Sequence, residues 1–318
     1  MSPGSNNGDS FNGQEQRLAA KKSYLWLRAR IIQAIRLFFI EKGYLEVETP
    51  HLIPAPAPEL HIDAISASKA FLHTSPELCM KRLLSAGYPK LFQICRCFRQ
   101  GERGENHLPE FTILEWYRAG IDYRELMDEV EEMILFVSHR LGFGESIDFQ
   151  GHAVDLKSPW HSISVREAFQ RYASMSMESS MESGRFDEAM VQEIEPNLGV
   201  PKPTFLYDYP ASLAALARLK QDDPAHAERF ELYMAGLEVA NAFTELTDVR
   251  EQRERFESER ERRRQQGKTV YPLPEKFLRS LHHMPQSAGI ALGVDRLVML
   301  FAGQPCIDQV VSFTPEEL

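Results

Sequence analysis

The stretch from Phe98 to Tyr117, FRQGERGENHLPEFTILEWY, constrains the fold of this chain more than any other segment. An apolar strand ends at Arg99, a charged loop follows, and a second strand returns over Glu110 to Arg118. Alternation along the return strand places four side chains on one face: Phe111, Ile113, Glu115 and Tyr117. A purely structural strand would not carry a carboxylate in that row, because an unpaired buried charge is costly. The hairpin therefore predicts a site for a small cationic substrate beside a polyphosphate, with Arg99 and His107 at its mouth.

The flanking segments predict an α+β domain built on an antiparallel sheet with helices laid outside it. Apolar residues follow helical spacing from Tyr24 to Lys42, and the alternating sequence YLEVET then predicts a strand. The segment from Phe230 to Leu246 reads as two strands around a turn at Ala235-Gly236. A strand that runs into a helix accounts for Gly289 to Ala302.

Composition and charge argue against several classes of protein. The 318 residues carry a formal net charge of -10, whereas non-specific nucleic-acid binders usually present a basic surface. No run approaches the ~18 apolar residues of a membrane span, which predicts that the protein has no membrane partner. Residues 1 to 20 are rich in Gly, Ser, Asn and Gln and are predicted to form a flexible tail, which leaves residues 21 to 318 as one domain.

The cysteines predict a reducing compartment, the cytoplasm. Cys79, Cys95, Cys97 and Cys306 provide neither a disulfide framework nor the paired CxxC spacing of a zinc site. Cys95 and Cys97 share one face of a strand, where two neighbouring thiols are expected to pack rather than to bind a metal.

Four segments resemble, in order, the motifs of class II aminoacyl-tRNA synthetases in the form carried by lysyl-tRNA synthetases. GYLEVETP (Gly43 to Pro50) resembles motif 1, the hairpin resembles motif 2, and GIALGVDRLVML (Gly289 to Leu300) resembles motif 3. FELYMAGLEVANAFTEL (Phe230 to Leu246) resembles the nucleotide-and-lysine segment between motifs 2 and 3. The resemblance covers roughly residues 24 to 313. It implies the class II fold, an antiparallel sheet flanked by helices, and the activation of a carboxylate by ATP.

The resemblance also implies which residues contact ATP and Mg²⁺. Displacement at the α-phosphate requires groups that hold anions, and the planar fork of arginine suits this task. Arg99 is predicted to be catalytic at the α-phosphate and the substrate carboxylate, and Arg296 at the far phosphates. The predicted ATP-binding set is Arg99, Gln100, Gly101, Glu102, His107, Phe111, Glu238, Val239, Gly293 and Arg296. Hard cations prefer oxygen ligands, and Glu231 and Glu238 match the metal-side positions of the family.

The residues that the resemblance assigns to the amino acid are largely acidic. Glu115, Tyr117 and Glu245 resemble the pocket for the lysine side-chain ammonium, and Glu77 resembles the residue that holds the amino group. The full predicted set is Ser75, Pro76, Glu77, Glu115, Tyr117, Asn241, Phe243, Glu245 and Ala291. Such a pocket selects a diamino acid, because a neutral amino acid would leave two carboxylates unpaired.

The chain departs from the lysyl-tRNA synthetase pattern ahead of motif 1. Those synthetases carry a large anticodon-binding barrel there, whereas about 23 residues precede the first predicted helix in this chain. This predicts that no anticodon-binding domain is present and that tRNA is not a partner. The short form resembles the elongation factor P lysyl-lysine ligases. That resemblance implies lysine or β-lysine as substrate, elongation factor P as the protein acceptor, and a homodimer formed through motif 1.

Individual positions depart from the synthetase pattern as well. Ala291 stands where the synthetases usually have glycine, and its methyl group suits an amino group displaced to the β-carbon. Gly101, Leu108 and Ala242 stand where the family usually has Glu, Asn and Gly, which bears on the adenine contacts. The charged helix predicted over Asp248 to Gln266 alternates in sign, which favours a solvated surface over a nucleic-acid interface.

Two alternatives to a protein-modifying ligase stay open at the level of the sequence. One is a truncated lysyl-tRNA synthetase, or a synthetase-like aminoacyl carrier. The other is a catalytically inactive paralogue that acts as a regulatory subunit. The joint presence of the phosphate, metal and substrate residues argues against the inactive form: Arg99, Glu238, Glu245 and Arg296.

Overall fold

A computed structural model describes the backbone of residues 8 to 318 and the side chains of residue 13 and of residues 15 to 318. Helices α1 to α10 cover Gly8–Ala20, Lys22–Glu41, Glu77–Ser85, Tyr123–Leu141, Val165–Tyr172, Met177–Glu182, Phe186–Ala189, Val249–Gln265, Glu275–Ser280 and Val294–Ala302. Strands β1 to β13 cover Leu45–Glu46, Leu52–Ile53, Ser66–Ala67, Ala70–Leu72, Lys90–Phe98, Glu110–Ala119, Ser146–Phe149, His152–Asp155, His161–Ser164, Thr204–Pro210, His226–Met234, Leu237–Thr244 and Ser287–Gly293.

The domain is organised around an eight-stranded sheet with the order β1-β5-β6-β13-β12-β11-β10-β9. The pairs from β5 to β10 are antiparallel, whereas β1 pairs with β5 and β9 with β10 in parallel. The predicted hairpin corresponds to β5 and β6, and the predicted turn at Ala235-Gly236 joins β11 to β12. The prediction of an α+β fold with a largely antiparallel sheet is therefore confirmed.

One face of the sheet is buried and the other is open, and this difference positions the site. Trp116 of β6 and Ile290 of β13 pack with Phe39 of α2 and Leu297 of α10 in the main hydrophobic core. Because side chains alternate along a strand, the residues between them project from the opposite face. That opposite face carries the polar side chains that the sequence assigned to substrates.

The N-terminal prediction differs from the structure. Gly8–Ala20 form helix α1 instead of a flexible tail, and residues 1 to 7 lie outside the described residues. The helix forms because Gln14 to Ala20 consist of good helix formers, whose propensity outweighs that of the preceding Gly- and Asn-rich residues.

The apolar stripe of α2 belongs to the core of this chain. Ile31, Ile35 and Phe39 are buried within the domain, so the apolar character of the helix does not by itself argue for a dimer. Trp26 and Ile40 of the same helix are 66% and 59% exposed. Within residues 8 to 318, none of the helices combines the length and the apolar character needed to cross a bilayer.

The charged helix α8 turns part of its basic cluster inward. Arg263 is fully buried, and its guanidinium donates to the backbone carbonyl of Glu59 at 2.6 Å and to the carboxylate of Asp63 at 2.6 Å. Arg260 donates to the backbone carbonyl of Tyr271 at 2.9 Å. These two members of the basic cluster therefore do not belong to the predicted solvated face, because both arginines hold neighbouring backbone segments in place.

Candidate active site

Strand register brings residues from distant segments into two rows across the open face of the sheet. The first row runs from β6 through β13 and β12 to β11, as Glu115, Ala291, Asn241 and Glu231. The second row follows the same strands, as Tyr117, Gly289, Phe243 and Arg229. Residues directly opposite one another on antiparallel strands lie within side-chain contact, so the rows form a continuous floor.

Gly289 in the second row is required by close packing. A Cβ atom at this position would lie 2.3 Å from the ring of Tyr117 and 2.6 Å from Oε1 of Glu245. Both side chains are buried and closely packed, so any larger residue at position 289 would displace the Tyr117 ring and the Glu245 carboxylate.

A cavity of about 340 Å³ lies above this floor. Among the predicted site residues, those that line it are Ser75, Glu77, Arg99, Glu102, His107, Phe111, Glu115, Tyr117, Glu238, Val239, Asn241, Phe243, Ala291, Gly293 and Arg296. The structure brings these residues from the separate motifs to one place. The predicted residues outside the lining are Pro76, Gln100, Gly101, Glu231 and Glu245.

A β-bulge places Glu238 in the cavity. Simple alternation along β12 puts Glu238 and Asn241 on opposite faces. The pairing with β11 shifts register between Leu232, which lies opposite Ala240, and Tyr233, which lies opposite Glu238. The extra residue lets Glu238 and Asn241 both line the cavity, and sequence alternation alone could not predict it.

The amino-acid end of the cavity contains the buried carboxylate of Glu115. It accepts hydrogen bonds from Ser75 Oγ at 2.6 Å and from the Tyr117 hydroxyl at 2.7 Å. Burial, and next the neighbouring carboxylate of Glu77, raise the pKa of Glu115 to about 8. The ligand-free site therefore favours the protonated acid, and an incoming cation would favour the carboxylate.

Glu245 is the second buried carboxylate at this end. It forms an ion pair with Lys81, whose ammonium also pairs with Glu77. Burial raises the pKa of Glu245 to about 8, although Lys81 opposes the shift. The Oε1 atom of Glu245 is buried and accepts no hydrogen bond from the described residues. A buried acceptor without a donor is costly and fits a site that waits for an ammonium group.

Arg99 and Phe111 form a stack near the middle of the cavity. The Arg99 guanidinium lies 4.9 Å from the centre of the Phe111 ring, and its Nη1 atom lies 3.7 Å from Glu102. The Nε atom of Arg99 is buried without a hydrogen-bond acceptor in the described part of the chain. The guanidinium thus retains unused donor capacity for an anion.

Arg296 lies at the other end of the cavity in the first turn of α10. Its guanidinium donates to the backbone carbonyl of Glu238 at 2.7 Å and to His107 Nε2 at 2.6 Å. Burial, and next the charge of Arg296, lower the pKa of His107, so the imidazole is neutral and can accept this bond. The start of α10 is fixed by Asp295, which accepts from the Thr112 backbone at 2.7 Å.

Carboxylates gather behind Arg296 as a candidate metal-binding group. Glu231 accepts from the hydroxyls of Tyr209 and Tyr233 at 2.6 and 2.7 Å, and burial followed by the charge of Glu238 raises its pKa. Burial, then Glu231 and Glu238, raise the pKa of Glu195 to about 7. Carboxylate oxygens are the ligands that Mg²⁺ prefers, but the ligand atoms of these three glutamates do not all lie within 4.8 Å of one another in the described residues.

The sequence did not single out Glu59, Arg229 or Glu195. Glu59 lines the cavity, and burial, followed by the charge of Glu77, raises its pKa to about 7. A carboxylate in the proline-rich run PAPAPEL was the only available signal for it. Arg229 could have been found from alternation with Glu231, two residues later on β11. Glu195 begins the short 3-10 turn Glu195–Asn197, and no motif in the sequence marks it.

Comparisons with known proteins identify the family of this chain. Residues 15 to 317 match the family model described as tRNA synthetases class II (D, K and N). A protein of Salmonella gallinarum (strain 287/91 / NCTC 13346) named Elongation factor P--(R)-beta-lysine ligase is 39% identical over 308 residues, 90% of this chain and 93% of the relative. Proteins of the same name from Salmonella paratyphi B and Salmonella heidelberg are 38% identical over 320 residues, with the same coverage. The chain therefore belongs to the class II tRNA synthetase family.

Proposed function

We propose that this protein activates (R)-β-lysine, or lysine, with ATP and transfers the aminoacyl group to a lysine side chain of elongation factor P. The name of the relatives, Elongation factor P--(R)-beta-lysine ligase, supports the reaction and the acceptor. The observation that carries the proposal is the buried carboxylate of Glu115 in one cavity with Arg99 and Arg296, with the buried carboxylate of Glu245 packed behind the cavity residue Gly289. One end suits an ammonium group and the other suits phosphates.

In the activation step, a carboxylate oxygen of the amino acid attacks the α-phosphorus of ATP. The bond from the α-phosphorus to the bridging oxygen breaks, and pyrophosphate leaves. Arg99 holds the carboxylate and the α-phosphate together with its unused Nε donor, and Arg296 holds the far phosphates. Phe111 provides the flat ring on which adenine stacks. The Arg99 guanidinium lies 4.9 Å from the centre of the same ring. ATP is thus a substrate of this site.

Glu238 is the residue proposed to hold Mg²⁺ from the cavity, with Glu231 as the second carboxylate. The cation would neutralise part of the phosphate charge when it is bound. Glu231 is oriented by Tyr209, Tyr233 and Arg229, whose Nη2 donates to it at 2.7 Å. These three hydrogen bonds fix the orientation of the Glu231 carboxylate.

In the transfer step, an uncharged lysine amine of the acceptor attacks the carbonyl carbon of the adenylate. A C–N bond forms, the C–O bond to AMP breaks, and the amine releases a proton to solvent. The amide product keeps both amino groups of a β-lysine free. A tRNA acceptor would need a basic surface that binds a polyanion, whereas a protein lysine does not. The net charge of -10 therefore favours the protein acceptor over tRNA.

The amino-acid end determines which substrate is used. Glu115, Tyr117 and Glu245 bind the side-chain ammonium, which replaces the proton that the raised pKa values favour. Glu77 binds the other amino group of the substrate. Glu59 assists Glu77 from the segment between β2 and β3, which Arg263 holds through the Glu59 backbone carbonyl. Glu59→Gln is expected to raise the KM for β-lysine several-fold with an unchanged KM for ATP, measured by pyrophosphate exchange.

The protein is further proposed to act as a homodimer, with residues 21 to 318 as the catalytic unit. Four exposed apolar side chains on α2, β1 and β2 support contact with a second copy: Trp26, Ile40, Leu45 and Leu52. Light scattering of the purified protein tests this point, and a monomer at micromolar concentration would contradict it.

The decisive experiment follows labelled amino acid in a mixture of the protein, ATP, elongation factor P and total tRNA. Label should appear on elongation factor P, more with (R)-β-lysine than with lysine, and mass spectrometry should locate it on a lysine. Pyrophosphate exchange should proceed without tRNA or elongation factor P. Label on tRNA with the factor unlabelled would overturn the proposal in favour of a synthetase.

A further inference from the structure

Three donor side chains that the proposed reaction does not use meet beside the amino-acid end of the cavity. The Sγ atoms of Cys95 and Cys97 are 4.0 Å apart, and Cys97 Sγ lies 3.9 Å from His73 Nε2. One donor atom from each of the three residues lies within 4.8 Å of the other two. Among the described residues, this is the only group of three or more His, Cys, Asp or Glu side chains whose donor atoms lie this close together.

The imidazole of His73 is arranged as a ligand. The side chain belongs to a residue that is 1% exposed, and its Nε2 atom lies 2.7 Å from the backbone carbonyl oxygen of Arg96. That carbonyl can only accept, so Nε2 carries the proton and Nδ1 carries the free lone pair. Nδ1 is buried and has no partner among the described residues. A metal-binding histidine typically donates its other ring N–H to a carbonyl in this way.

The fold brings the three residues together from separate segments. Cys95 and Cys97 project from the same face of β5 because two residues separate them. His73 reaches that face because its segment runs beside the end of β5, where the Phe98 backbone N–H donates to the His73 carbonyl at 3.0 Å. The ring of His51 stacks on the outer side of His73 with a centroid distance of 5.0 Å. The sequence, with only two thiols in view, favoured simple packing.

The distances suit a metal better than a disulfide. Zinc bonds of about 2.3 Å to sulfur and about 2.0 to 2.1 Å to nitrogen place the donors about 3.5 to 4.0 Å from one another. The Sγ–Sγ separation of 4.0 Å falls at the upper end of this range, and the His73 ring lies against Cys97, with its N–H nitrogen Nε2 3.9 Å from Cys97 Sγ. A disulfide requires sulfurs about 2.05 Å apart, and residues i and i+2 of an extended strand have Cα atoms about 6.7 Å apart, near the limit for a bridge.

We propose that His73, Cys95 and Cys97 form a binding site for one zinc-class divalent cation, with a water molecule as the fourth ligand. The two thiols bind as thiolates and release their protons when the metal enters. The ion would connect β5 to the segment that carries Ser75 and Glu77. Because Arg99 follows Cys97 by two residues, the same ion would stiffen the strand end that presents this arginine.

The chain provides its own control for this proposal. Cys79 on α3 and Cys306 after α10 are partly exposed cysteines outside the group. Full-length protein is stripped with a chelator, dialysed, and titrated with Zn²⁺, and bound metal is measured by mass spectrometry. Wild type, Cys79→Ser and Cys306→Ser should each bind one equivalent. Cys95→Ser, Cys97→Ser and His73→Gln should weaken zinc binding by more than ~100-fold, because each removes a ligand.

Cobalt substitution identifies the ligands independently of enzyme activity. The Co²⁺-loaded wild-type protein should show thiolate-to-cobalt charge-transfer absorption, which Cys97→Ser should reduce and the double variant Cys95→Ser/Cys97→Ser should abolish. Circular dichroism and thermal unfolding without metal establish that each variant is folded. Zn²⁺ should raise the Tm of wild type and of both control variants only. Absence of the absorption band in wild type, or equal zinc binding by Cys97→Ser and Cys79→Ser, would overturn the site.

Discussion

The two ends of the cavity are built differently. At the phosphate end, the side chains of Arg99 and Arg296 are 26% and 19% exposed, and Arg296 is held by a carbonyl and an imidazole. At the amino-acid end, Glu245 and Lys81 are almost completely buried and pair with each other. Phosphates bring their own charge and tolerate water, whereas selection of one ammonium group requires a site from which water is excluded.

This difference has a consequence for substitutions. A change at the phosphate end should reduce the rate with every amino acid, because all of them share the activation step. A change at the amino-acid end should alter which amino acid is used and leave ATP binding intact.

The largest effect is expected for Arg296→Ala. The loss of a guanidinium that faces the phosphates should remove at least ~2.7 kcal/mol of transition-state stabilisation, about 100-fold in the rate of pyrophosphate exchange. The fall should be equal with lysine and β-lysine. Arg264→Ala is the matched control, because Arg264 is an exposed arginine of α8 that pairs with Glu261. Exchange that survives Arg296→Ala unchanged would contradict the proposed role of this residue.

The next effect is expected for Glu245→Gln and Glu115→Gln. Each removes a charge that pairs with the substrate ammonium, a loss of about 1.5 to 3 kcal/mol, so the KM for the diamino acid should rise about 10- to 100-fold. The KM for ATP should change little. Glu131→Gln is the control, since Glu131 is a buried carboxylate on α4 outside the cavity. A parallel rise in both KM values would show that the two ends are not separable.

A smaller effect should follow from pH. Burial raises the pKa of Glu115 and of Glu245 to about 8, so substrate binding below that value must release protons. The KM for lysine should therefore fall as pH rises from 6 to 8, by up to about tenfold per unit for each proton released. The ligand-free protein should show the opposite trend in stability. Raised pKa values favour the protonated fold, so the free energy of unfolding should decrease as pH rises from about 4.5 to 8.

Kinetics and chemical denaturation at several pH values measure both trends. In Glu245→Gln, both slopes should be reduced. A KM for lysine that is flat between pH 6 and 8 would mean that the carboxylates are already ionised in the free protein.

The smallest effect is expected for Ala291→Gly. Ala291 lines the cavity between Glu115 and Asn241, so loss of its methyl group should make room at the α-carbon. The ratio of kcat/KM for lysine to that for β-lysine should rise a few-fold, since one methyl group is worth about 1 kcal/mol. Ala288→Gly is the control, because Ala288 lies on the same strand and faces the core. An unchanged ratio would remove the methyl group from the explanation of substrate choice.

The two ends also differ in how well the sequence predicted them. Arg99 and Phe111 stand in the motif 2 segment and Arg296 in the motif 3 segment, and the resemblance to the class II synthetases predicted that they meet at one cavity, as they do. Glu238 was expected near the metal, but the bulge that turns it toward the cavity depends on pairing with β11. Glu59 was missed because its carboxylate reaches the cavity through a contact between its backbone and Arg263, about two hundred residues later.

By itself, the sequence determined the fold class, the hairpin, the face on which Glu115 and Tyr117 lie, and the order of the motifs. These features follow from local periodicity, which a strand or helix imposes on its own residues. Only the tertiary structure decided the cross-strand rows, the inward turn of Arg263 and the meeting of His73 with the thiols of β5. Those contacts join segments whose separation along the chain carries no information about their distance in space, and only strand register and packing fix that distance.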